Sequence, residues 1–189
     1  MSIAASVSSG LHAALMLARG RAEGLRYVEE DMSGAARSFS ALAICLPAFV
    51  CLRLLAWTGP GLPPRPAHAF ALDLLSYVIG WCSFAVLSHR LVGAMGLGAR
   101  WPRFIALWNW CNVVQYLLLV VFSIPGLLGA PPLLDQAAQL FALGWALWLE
   151  WFAFRLTLEI GVVPAAGLVA FDVAIGVLLA AVSLAVMPV

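Results

Sequence analysis

Five apolar stretches constrain this chain more than anything else in it: about residues 39–57, 69–88, 104–123, 138–158 and 163–187. Each has about 19–25 residues, which at about 1.5 Å per residue crosses a hydrocarbon core of about 30 Å. Only the composition of a membrane protein sustains this: 64% of the 189 residues are hydrophobic and 10% are charged. Soluble domains run at about 45–50% apolar and about 25% charged. The expectation is an all-α fold, a polytopic membrane bundle of five transmembrane helices with an N-terminal amphipathic helix. The chain divides into an arm, residues 1–36, and a five-span membrane domain, residues 37–189.

The arm holds the long polar stretch. Ile3, Val7, Leu11, Leu15 and Ala18 recur at helical spacing, which predicts an amphipathic helix. It lies either in the membrane interface with that stripe down or against the cytoplasmic end of the bundle. Gly20 and Gly24 end it, and the acidic patch Glu29, Glu30 and Asp31 follows. The opening residues lack a basic segment followed by an apolar core, so no cleavable signal peptide is expected.

Pro47 falls inside span one and is expected to kink it. Asp73, placed in the first turn of span two, complements that helix's dipole. Ser76 and Gly80 permit close helix approach, as do alanine ridges in spans four and five. The loop from Thr58 to Pro66 is too rich in proline and glycine for a helix. All ten basic residues are arginine and the formal net charge is +1, which offers no surface for nucleic acid. With the N-terminus cytoplasmic, Arg19, Arg21, Arg26, Arg37, Arg90, Arg100, Arg103 and Arg155 lie inside, and Arg53 and Arg65 outside. That bias predicts a bacterial inner-membrane protein with its N-terminus in and its C-terminus out.

The last third, Gln136 to Met187, reads as the organising hairpin, because ionisable residues inside apolar spans are costly and mark purpose. A turn near Gly161 to Val163 is expected to bring Arg155 level with Asp172, as a buried ion pair. Glu150 then faces span three near Asn109 or Asn112, and Glu159 sits nearer the surface. Asn109, Asn112, Glu150, Arg155, Glu159 and Asp172 form the expected intramembrane polar cluster. Cys45, Cys51, Cys82 and Cys111 fall in apolar spans without metal-ligand spacing. Neither a hydrolase motif nor a zinc motif occurs, and no histidine is placed for haem. No enzyme activity, cofactor or metal is expected.

Three stretches carry a family resemblance: Gly34-Ala-Ala-Arg-Ser-Phe39, Trp108-Asn-Trp110 and Ala166-Gly-Leu-Val-Ala-Phe-Asp172. With five spans, a cytoplasmic arm and an outward C-terminus, they resemble small alphaproteobacterial membrane proteins related to the Yip (Ypt-interacting-protein) superfamily. The eukaryotic family's Asp-Leu-Tyr-Gly-Pro signature is absent, so the resemblance implies no Rab binding. The expected function is a non-catalytic accessory or scaffold subunit of a larger membrane complex. Its partners are the lipid bilayer and a membrane protein or a second copy of the chain. The alternative is a small transporter or proton- or ion-conducting component that uses the intramembrane acids.

Overall fold

The computed structural model describes residues 2–58 and 61–186. Within lipid, backbone groups find no water, so spanning segments satisfy their hydrogen bonds internally and become helices. The described residues form seven α-helices and no strand: α1 (Ile3–Leu17), α2 (Met32–Ser38), α3 (Ser40–Ala56), α4 (Pro66–Ala94), α5 (Trp101–Leu127), α6 (Pro132–Leu158) and α7 (Val162–Val186). Five segments are long and apolar enough to cross a membrane: Met32–Ala56, Pro66–Ala94, Gly98–Leu127, Pro132–Leu158 and Val162–Val186. The expected end of span five at Met187 lies outside the described residues.

Span one differs from expectation. It begins at Met32, and its break falls at Phe39, between α2 and α3, while α3 continues through Pro47. The Asp31 carboxylate caps α2 by accepting from the Gly34 N–H at 2.9 Å and the Ser33 hydroxyl at 2.6 Å. Span two also starts earlier, at Pro66, which suits a first-turn position because its missing N–H has no partner there anyway.

The organising element is α5 rather than the C-terminal hairpin. Every residue from Phe104 to Cys111 is buried, because α1, α2, α3, α4 and α6 all pack on this helix. Asn109, 0% exposed, donates to the Ser38 hydroxyl of α2 at 2.7 Å. A helix buried on every side is apolar nearly all round, and its one fully buried amide has a partner for its NH2 group, while its Oδ1 has none among the described residues.

The arm docks on the bundle. The buried face of α1 is Ser6, Gly10, Ala13, Ala14 and Leu17; of the expected stripe, Ile3 and Leu15 are exposed. Small residues win that face because they bring backbones close. A Cβ on Gly10 would collide with the Trp110 indole of α5, and one on Gly24 with Leu17. A short 3-10 turn, Ala22–Tyr27, folds back along α1. The acidic patch then straps the arm down. Glu29 receives two hydrogen bonds from Arg37 and one from Ser6, and Glu30 pairs with Arg103 at 2.7 Å. Arg103 also donates to the Leu25 carbonyl at 2.7 Å. The bidentate, partly buried Arg37–Glu29 pair holds geometry better than an isolated surface one.

Candidate functional site

The expected polar cluster divides in two. Glu159 ends α6 in the left-handed conformation, φ 53°. Arg100 holds that end, donating to the Leu158 carbonyl at 2.6 Å and to the Glu159 carboxylate at 2.8 Å. Arg155 lies about one turn from the end of α6. Its guanidinium stacks over the Trp151 ring, 4.9 Å from the centroid, and makes no ion pair among the described residues.

The expected Arg155–Asp172 pair therefore does not form, for a reason of register. The turn is tight, from Glu159 to Gly161. Asp172 stands about 15 Å along α7, at about 1.5 Å per residue. The α6 residue at that depth is Glu150, about 12 Å from its own helix end by the same rise. The two acids meet instead of acid and base: the carboxyl groups of Glu150 and Asp172 lie within hydrogen-bonding reach. Asp172 also accepts from the Trp108 indole N–H at 3.1 Å. Glu150 faces α5 as expected, but at Gln115 and Cys111 rather than at Asn109 or Asn112. It is 4% exposed, and its Oε1 has no hydrogen-bond partner. No arginine lies within ion-pair distance of either carboxyl among the described residues.

Asp172 forms part of the wall of a cavity of about 280 Å³ between α3, α4, α5 and α7, lined by apolar as well as polar side chains. On α5 the wall is Trp108, Asn112 and Tyr116; on α4 it is Asp73, Ser76, Tyr77, Gly80 and Trp81. Phe49 and Arg53 close it on α3, and Ser183 on α7. The Ser76 and Ser183 hydroxyls share a hydrogen bond of 2.7 Å that ties α4 to α7. Arg53, with 44% of its side chain exposed, stands at the mouth, 3.8 Å from Asp73. Asp73 thus faces the cavity rather than serving a first helical turn; the helix begins at Pro66, a full turn earlier than expected.

Toward the arm, the cavity meets an aromatic plug. Phe84, Phe104 and Phe154 are fully buried. Phe84 stacks on Trp108 at 4.4 Å between centroids, and Phe104 on Phe154 at 4.6 Å. Behind Asp172 comes Glu150, then Gln115, which donates to the Ala146 carbonyl at 2.8 Å. Gln115 in turn lines a cleft of about 190 Å³ beneath the tip of the arm, with Ala18, Arg19 and Trp145.

Sequence reasoning missed Arg53, Asp73, Tyr77, Trp81, Gln115 and Tyr116. A signal was there: Asp73, Ser76, Tyr77, Gly80 and Trp81 follow the i, i+3, i+4, i+7, i+8 spacing of one helical face. Among the described residues no group of three or more His, Cys, Asp or Glu side chains converges to hold a metal ion. No protein-family model, curated protein or solved structure matches this chain.

Proposed function

We propose that this chain is a non-enzymatic transport component of a bacterial inner membrane that moves protons, alone or with a small solute, through this cavity. The observation that carries the reading is the Glu150–Asp172 contact. Two carboxyl groups side by side in an apolar interior, with no cation beside them, attract only when one holds a proton that the other accepts. Intramembrane acids of this kind mark proton and ion paths. This pair stands between the cavity on one side and Gln115 and the arm cleft on the other. A scaffold role finds no such support, since the exposed apolar faces of α4, α6 and α7 suit lipid as well as protein.

The test is proton flux into liposomes carrying the purified protein, driven by a potassium-diffusion potential and read with a trapped pH dye. The unmodified protein is expected to acidify the lumen well above protein-free liposomes. Glu150→Gln keeps the hydrogen bond but not the exchangeable acid, so flux should fall about tenfold or more, a barrier increase of at least about 1.4 kcal/mol. Its elution on size exclusion should stay unchanged. Equal flux with and without protein, or unimpaired flux in E150Q, would refute the reading.

A further inference from the structure

We propose that the cavity binds a small organic cation, an alkylammonium compound, with Asp73 and Asp172 as counter-charges and the aromatic side chains as its walls. The proposal names the solute of the transport reading and rests on that reading for its role, though the binding it claims stands on the cavity alone.

Charge is the first argument. The charged side chains lining the cavity are Arg53, Asp73 and Asp172, one cation against two acids. Arg53 sits at the mouth, half-exposed and over the Phe49 ring at 5.7 Å from its centroid, so it compensates Asp73 only loosely. The Asp73 side chain is 10% exposed, and its only ionic neighbour among the described residues is the Arg53 Nε at 3.8 Å. That is too long for a hydrogen bond. The Asp73 carboxylate faces the cavity with acceptor capacity left for a ligand that enters it.

Donor and acceptor capacity is the second argument. Several donors of the wall are already engaged. The Tyr77 hydroxyl donates to the Leu42 carbonyl at 2.6 Å, the Trp108 N–H to Asp172, and the Asn112 amide to the Trp108 carbonyl at 3.0 Å. Ser76 and Ser183 bond each other. Beside the Trp81 indole N–H, the Tyr116 hydroxyl and Arg53, the wall offers acceptor capacity on the Asp73 and Asp172 carboxylates, which suits a ligand that donates or carries positive charge. An anion would meet two acids and a single, half-exposed arginine.

The walls supply the third argument. Phe49 stacks on Tyr77 at 4.5 Å, Tyr77 lies 6.0 Å from Trp81 and 6.1 Å from Tyr116, and Trp81 lies 5.1 Å from Trp108. Aromatic faces around a carboxylate bind ammonium groups through the ring quadrupole. The volume of about 280 Å³ is at the lower end of the range for small-molecule sites, about 300–1,000 Å³, so the ligand is small.

The experiment is calorimetric titration of the purified, lipid-reconstituted protein with choline and with 3,3-dimethylbutan-1-ol, its neutral isostere. Choline is expected to bind at least about tenfold more tightly, the ratio expected for about 1.4 kcal/mol of charge-specific interaction. Asp73→Asn and Trp81→Leu should each weaken choline about tenfold, while the isostere changes little. Equal affinity for the two probes in the unmodified protein, or no choline binding, would overturn the proposal without any reliance on a variant that folds. Proton flux separates the two readings. Flux without choline binding removes the solute and leaves proton movement, whereas choline binding without flux does the reverse.

Discussion

At the scale of single residues, Asp31 shows how the start of the first span is set. Its carboxylate accepts from Ser33 and from the Gly34 N–H, and these bonds hold it below the ordinary value of 3.8. The folded state therefore favours the charged form. That contribution is complete above about pH 4, where the unfolded carboxyl is ionised. It is lost as pH falls through the lower folded value. Asp31→Asn retains an acceptor for the Gly34 N–H but has no charge to lose. In unfolding scans in detergent at pH 6 and pH 3, the unmodified protein should lose more stability between the two than D31N does. Equal losses would show that the cap carries no charge dependence. Arg100 plays the matching part at the other end of a helix, closing α6 through the Leu158 carbonyl and Glu159.

At the scale of elements, the arm is the unexpected feature. A hydrophobicity stripe places Ile3 and Leu15 inward, yet the helix buries Ser6, Gly10 and Ala14. In a membrane, large apolar residues gain little from burial, since lipid is as apolar as they are, and small residues decide which face comes close. Gly10→Leu should therefore unseat α1, because Trp110 is 2% exposed and has no room to yield. Overpacking costs about 1–3 kcal/mol, so trypsin cleavage after Arg19, Arg21 and Arg26 should quicken about tenfold or more, tracking the opened population. Cleavage at the unmodified rate would mean that the arm is not held by this contact. The same contrast explains what was legible from the residues alone. The five spans were, because length and hydropathy act within one helix. The pairing of Glu150 with Asp172 was not, because it depends on how few residues make the turn at Glu159. Asp73 was read as a first-turn residue of its helix and Tyr77 went unread, because the rotation of α4 against α5 and α7 leaves no trace in local composition beyond the spacing of its polar face.

At the scale of the whole molecule, charge is distributed by end. Arg37, Arg100 and Arg103 form ion pairs at the end that carries the arm, and Arg53 and Arg65 belong to the opposite end, where α3 stops and α4 begins. Arginine-rich segments stay on the cytoplasmic side, which predicts that the arm faces inward and the cavity mouth, beside Arg53, outward. Labelling of single cysteines checks this in intact cells, with the four native cysteines replaced by alanine. Leu62 is 73% exposed in the loop before α4, and Met95 is 41% exposed just beyond its other end. Leu62→Cys should react with a membrane-impermeant maleimide from outside, and Met95→Cys only after permeabilisation. The opposite pattern would turn the molecule over and place the mouth in the cytoplasm. In the expected orientation a solute enters from outside and meets Asp73 first, then the aromatic walls, then Asp172. Beyond Asp172 lies the aromatic plug of Phe84, Phe104, Trp108 and Phe154, so the proposed transport reading predicts that the solute stops there and that only a proton goes on, by way of Glu150 and Gln115.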